Sequence, residues 1–106
     1  EFQMENYKLR ATAEGKIERY YEYKTKPHIW KELKGSVNKA YLQIWLSLTS
    51  GRRKFMVHRL VYLAHNPDWD IYDMEQEIYW RDGNRHNNKI ENIGAVFNQT
   101  PYMYRT

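Results

Sequence analysis

The chain has 106 residues, 42% of them hydrophobic and 16% aromatic, no cysteine, and a formal net charge of +4. That length bounds it to one domain with a modest core, and the missing cysteine excludes disulfides and thiolate metal sites together. No apolar run approaches the ~20 residues of a membrane span, so a cytoplasmic protein with no membrane partner is expected.

Glu1-Phe2-Gln3 ahead of Met4 reads as vector sequence, with Met4 as the native start and no secretory leader. Charge is unevenly spread along the chain. Residues 1–66 carry 13 Lys/Arg against 6 Asp/Glu, and residues 67–106 carry 4 against 7. A basic front half with interleaved Tyr and Trp suits a phosphate backbone. Gly15 to Tyr23 is predicted as a strand, and residues 24–36, with Pro27 and Gly35, as an irregular loop with room for a short strand. The clearest strand runs from Ala40 to Leu48. Alternation puts Leu42, Ile44, Leu46 and Leu48 on one face, and Tyr41, Gln43, Trp45 and Ser47 on the other. Thr49-Ser50-Gly51-Arg52 reads as a turn, with Lys54 to Val57 returning as the second arm of a hairpin. From Val57 the period changes. Val57, Leu60, Val61 and Ala64 form the stripe of a short helix, ended by Asn66-Pro67. Five acids between Asp68 and Glu77 mark a solvated loop. A strand near Glu77 to Trp80, a turn at Asp82-Gly83-Asn84 and a last strand near Gly94 to Phe97 complete the chain.

Residues 78–93 read Ile78-Tyr79-Trp80-Arg81-Asp82-Gly83-Asn84-Arg85-His86-Asn87-Asn88-Lys89-Ile90-Glu91-Asn92-Ile93. This string resembles the central signature of the HNH (His-Me finger) homing endonucleases of phages and mobile introns. The match is dense at Asp82, Gly83, Asn84, Asn87, Asn88, Asn92 and Ile93. Tyr41-Leu42-Gln43-Ile44, the run Lys54 to Val61 and Asn66-Pro67 resemble the unit that precedes the signature, so the resemblance covers roughly Gly15 to Phe97. It implies an α+β fold: a small antiparallel sheet and a short helix over 15–66, then a degenerate ββα unit over 77–106 lacking most of its terminal helix.

The resemblance also implies a chemistry and exposes what is missing from it. An HNH nuclease needs a general base for water and a divalent metal on the scissile phosphate. The base position is occupied by Trp80, whose indole nitrogen is only a donor. The ligand position before it is Tyr79, and hard cations prefer carboxylate, carbonyl and water oxygens. The middle Asn is kept as Asn92, whereas the helix ligand falls at Pro101. Trp80 is expected to fill the space of the imidazole and metal-bound water. A natural replacement and an engineered His→Trp change read alike in one sequence.

The implied protein binds double-stranded DNA with cleavage lost or severely reduced, and needs no cofactor; Mg²⁺ or Mn²⁺ would serve an active form. Phosphate contacts are assigned to Arg52, Arg53 and Lys54 at the hairpin, Arg59 on the helix, and Arg81, Arg85 and Lys89 around the signature loop. A second reading is an active nickase with a relocated site, His86 as base and Asp82, Asn98 and Gln99 as weak metal candidates. A third is a protein-interaction module using the acidic run. His58 is placed outside the finger, with a packing or phosphate-contact role. The Asn residues have a structural account of their own, since Asn bonds nearby backbone in tight loops. No oligomeric state is assigned.

Overall fold

The computed structural model describes residues 1–38, 41–73 and 75–97. Its described elements are nine strands, one α-helix and one 3₁₀ turn, all strand pairs antiparallel. The small sheet expected ahead of the helix is instead two, and the strands expected near 77–80 and 94–97 pair as a third. Strands β1 (Phe2–Met4), β2 (Tyr7–Ala11), β3 (Ile17–Tyr21) and β4 (Ile29–Glu32) form a four-stranded sheet in sequence order. Strands β5 (Ser36–Asn38), β6 (Tyr41–Leu48) and β7 (Gly51–Met56) form the second, and β8 (Gln76–Trp80) pairs with β9 (Ile93–Phe97) in the third. Helix α1 (Val57–His65) follows β7 directly.

The first sheet begins where vector sequence was expected: Phe2 and Gln3 pair with Leu9 and Lys8. The tip of that β1–β2 hairpin then docks on the β6–β7 turn. Ser50 donates to the Glu5 carboxylate from its backbone N–H (2.8 Å) and its hydroxyl (2.7 Å), and Thr49 N–H donates to Asn6 Oδ1 at 3.0 Å. Buried Tyr7 accepts the Ser47 N–H at 2.9 Å. The β6–β7 turn is tighter than expected, because Leu48 pairs with Gly51 and leaves only Thr49 and Ser50 in the loop.

The alternation read in β6 is observed: Ile44, Leu46 and Leu48 are buried, while Trp45 is 48% exposed. Leu60 and Val61 of α1 meet Leu9 and Ile17 in one core cluster that also takes Phe55, Ile78 and Ile93. The helix thereby joins the front sheets to the back hairpin. Gly15, with φ +83°, allows a further close approach, since a Cβ there would lie 2.3 Å from the Asn88 carbonyl carbon.

Arg59 departs most from expectation. Only 9% exposed, it donates to the carbonyls of Gln76 (2.8 Å), Ile71 (2.8 Å) and Asp73 (3.2 Å), and its guanidinium lies 4.7 Å from the Trp69 ring centroid. The acidic segment is therefore folded around a buried cation. Asp70 and Asp73 are also engaged locally, accepting from the Tyr72 and Glu75 N–H groups. Placed this way, Arg59 is withdrawn from the phosphate-contact set.

Removing a charged donor leaves buried carbonyls unpaired, so Arg59→Ala is expected to lower stability by about 3 kcal/mol. Arg52→Ala, at an exposed position, should change it by less than about 0.5 kcal/mol. Urea unfolding of the two variants checks the contrast.

Candidate functional site

The signature string folds as the connection between β8 and β9, and its Asn and Asp side chains hold it. Gly83, at φ +76°, closes a turn with its N–H on the Trp80 carbonyl at 3.1 Å. Asp82 Oδ1 accepts from Asn84 N–H (2.8 Å) and Asn92 Nδ2 (3.0 Å), and its Oδ2 accepts from Asn87 Nδ2 (2.8 Å). The Asn87 amide, then the Asn84 N–H and the Asn92 amide, hold the Asp82 carboxyl below the usual carboxylate range. Asn92 returns the contact: its Oδ1 accepts the Asp82 N–H at 3.1 Å, and its Nδ2 donates to the Asn87 carbonyl at 2.8 Å. Asn84 Oδ1 accepts the His86 N–H at 3.0 Å. The loop is thus organised by its own polar side chains.

Asn88 is 1% exposed and faces Trp80. The indole Nε1 donates to Asn88 Oδ1 at 2.9 Å. An indole N–H cannot accept, so this contact fixes which way the amide points and leaves Asn88 Nδ2 buried without a partner.

Trp80 also meets two rings from the front of the molecule. His58, the second residue of α1, lies edge-on at 4.7 Å between centroids, and Tyr41, the first of β6, at 5.7 Å and 34°. His58 is therefore part of this site, not outside it. The sequence signal was its position one residue past the end of the second hairpin arm, where β7 delivers it against β8. Its Nδ1 is buried with no hydrogen-bond partner. Burial, aided by the neighbouring Arg59 charge, lowers the imidazole pKa to about 4.

Trp80 does not fill its surroundings. A cavity of about 230 Å³ remains, walled by Tyr41, Met56, His58, Arg59, Glu77, Ile78 and Trp80. The indole, tied through Nε1 to Asn88, forms part of that wall.

Among the described residues the donor set is a poor fit to a divalent cation: Trp80 offers only an N–H, and Asp82 already accepts three hydrogen bonds. Among the described residues, no group of three or more His, Cys, Asp or Glu side chains is placed to hold a metal ion. The Asn98 and Gln99 candidates and the Pro101 position lie outside the described residues. His86 sits exposed at the loop surface.

The expected basic cluster at the hairpin divides between two faces. Cross-strand partners share a face, so Lys54 lies with Trp45, and Arg52 with Ser47, whereas Arg53 opposes Leu46. Arg52 covers Trp45 at 4.5 Å, and Arg53 instead covers Tyr72 at 4.5 Å. Arg85 reaches over Tyr41 at 5.4 Å, bringing the signature loop to the Trp45 face. Arg81 is held to the Glu91 carbonyl at 3.1 Å, and Lys89 is exposed. A second basic and aromatic surface, not anticipated, lies on the first sheet, with Lys8 over Tyr20 and Arg10 over Trp30 at 4.8 and 4.3 Å.

No protein-family model matches the chain, and no curated protein matches it. Its fold is similar to that of the HNH homing endonuclease I-HmuI, solved in work on DNA binding and cleavage by that enzyme. The TM-score is 0.56 at 23% identity, over 92% of this chain. The chain spans about half of the I-HmuI chain, 51%. At that identity the likeness is one of fold: an HNH-like α+β arrangement. Among the described residues, no helix is long and apolar enough to cross a membrane.

His58 makes a pH-dependent prediction. The unfolded chain takes up the imidazole proton near pH 6.5 and the folded chain only near 4, so the unfolded state binds more protons in that window. Stability should be full above pH 6.5 and fall as pH drops towards 4, by on the order of 3 kcal/mol at one pKa unit per 1.36 kcal/mol. His58→Leu should flatten that limb in denaturation midpoints measured against pH. An unchanged limb would mean that another group sets it.

Proposed function

We propose that this chain is a DNA-binding relative of the HNH endonucleases that has lost, or nearly lost, cleavage. The observation that carries the reading is Trp80. At the position where the resemblance calls for a general base stands a donor-only indole, bonded to Asn88 and packed between His58 and Tyr41. A change of rotamer there would break a buried hydrogen bond, and the ring would still have no lone pair with which to take a proton.

On this reading the finger is a degenerate ββα unit whose loop persists because Asp82, Asn87 and Asn92 hold it mechanically. It has no resident cofactor, and Mg²⁺ or Mn²⁺ would matter only to a form that cleaves. Double-stranded DNA is the partner. The cations that support this are exposed: Arg52 and Lys54 on the Trp45 face, Arg85 beside Tyr41, and Arg81 and Lys89 on the loop. Arg53 stands apart from them, and Arg59 is internal. A relocated centre at His86 is less well supported, since its acid partner Asp82 is already occupied by three donors. An acidic protein-docking run is likewise less well supported, with Asp70 and Asp73 bonded within their own loop. A phage or mobile-element source and a cytoplasmic site of action belong to the same reading.

Binding carried by phosphate contacts weakens linearly in log salt, with a slope near −0.9 per contact. Fluorescence anisotropy with a labelled duplex should give such a slope. Arg85→Ala and Lys54→Ala should each reduce it by about 1, while Arg53→Ala leaves it largely unchanged. Absence of duplex binding at low salt, or binding insensitive to salt, contradicts the proposal.

A further inference from the structure

The Trp80 cavity is built like a binding pocket for a flat ring. Its volume of about 230 Å³ lies below the ~300–1,000 Å³ of drug-sized sites, leaving space for one small ring system. Three aromatic rings converge on it, Tyr41, His58 and Trp80, with centroids 4.7 to 5.7 Å apart. Met56, from the facing strand, adds a polarisable thioether to the wall. An exposed acceptor, the Glu77 carboxylate, stands at the cavity, and the Arg59 guanidinium in the same wall already donates to the Gln76, Ile71 and Asp73 carbonyls.

We propose that this cavity receives a single nucleobase swung out of the helical stack, and that it favours a base with an exocyclic amino group. The inference rests on the DNA-binding reading above and adds the ligand class of one pocket to it. The π-face of a base stacks on aromatic side chains whatever its identity. A carboxylate accepts from the exocyclic amino group of cytosine, whereas thymine has no amino group and offers only its ring N3–H. Charge around the mouth fits the attached strand. Arg85 lies 5.4 Å from the Tyr41 ring centroid, and Lys54 and Arg52 continue along the face that carries Tyr41, Met56 and Trp45. These cations are placed for the flanking phosphates. Trp45, 48% exposed beneath Arg52, offers a further ring beside the backbone path. The residue that removes a general base from the site thus supplies a stacking wall. Extruding a base costs least where it is already unpaired, which sets the choice of probe.

The test uses three labelled duplexes identical except at one point: fully paired, with one bulged deoxycytidine, or with one bulged thymidine. Affinity is read by anisotropy. The protein carries 5-fluorotryptophan, and the ¹⁹F resonance of Trp80 is assigned with Trp80→Phe. The bulged-deoxycytidine duplex is expected to bind about tenfold more tightly than the paired one, on the scale of base–aromatic stacking. The thymidine bulge should gain less, and Glu77→Ala should bring the two bulges level. The Trp80 resonance should move with the bulged duplexes and stay in place with the paired one. Trp80→Ala should abolish the preference for a bulge, and Trp80→Phe, which keeps a ring, should retain part of it. Equal affinity for all three duplexes with a stationary Trp80 resonance overturns the pocket and leaves the DNA-binding reading intact. Failure to bind any duplex overturns that reading, and this inference with it.

Discussion

An indole nitrogen carries a proton and no available lone pair, and much of the back half of this molecule depends on where that donor points. Trp80 Nε1 meets Asn88 Oδ1 at 2.9 Å, so the Asn88 side chain must turn its oxygen inward and is 1% exposed. The backbone of Asn88 in turn sits against Gly15, where any Cβ would clash. A turn between β2 and β3 and a loop between β8 and β9 are thereby fitted to one another beside a ring carried by the last residue of β8. On its other side the ring borders His58, whose burial keeps the imidazole neutral down to about pH 4. A cationic His58 in that position would be desolvated beside Arg59.

Arg59 performs a comparable service for the acidic segment. Three carbonyl oxygens converge on its guanidinium, and the carboxylates of Asp70 and Asp73 turn to backbone N–H groups of their own loop. Nearby acids still favour the charged guanidinium through space, opposing its desolvation. A buried cation bonded to three carbonyls offsets part of its desolvation and fixes the chain that leads into β8. Strand β8 in turn sets Trp80 and Glu77 on the cavity. The two interactions meet at the N-terminus of α1, where His58 and Arg59 are adjacent and both reach the wall of the cavity beside Trp80.

The elements with strong periodicity were legible from residues alone. The apolar stripe of Val57, Leu60, Val61 and Ala64 located α1, and Ile44, Leu46 and Leu48 located the buried face of β6, because burial on one face imposes a repeat. Strands β1 and β2 carried no such signal: Tyr7, Leu9 and Ala11 alternate with Lys8 and Arg10 over only five residues. The Asp82 loop was legible because Asp, Asn and Gly have specific local bonding habits, and the structure gives each a partner or a positive φ. Arg59 was misjudged because its acceptors are carbonyls, which every residue possesses and no sequence pattern marks. Arg52, Arg53 and Lys54 were read as one patch because they are consecutive, yet consecutive strand residues face opposite ways. The open cavity beside Trp80 was illegible for a further reason: it depends on β8 meeting β6, β7 and α1, which lie well before it in sequence.

On the proposed reading, Trp80 has replaced a proton acceptor, and the buried His58 beside it binds a proton only near pH 4. Nicking of supercoiled plasmid, measured with Mg²⁺, with Mn²⁺ and with EDTA, tests this directly, with Trp80→His alongside. No metal-dependent nicking is expected from the protein itself, with recovery in Trp80→His if the base is the chief lesion and silence from both if the metal site is lost as well. Metal-dependent nicking by the protein bearing Trp80 would contradict the reading.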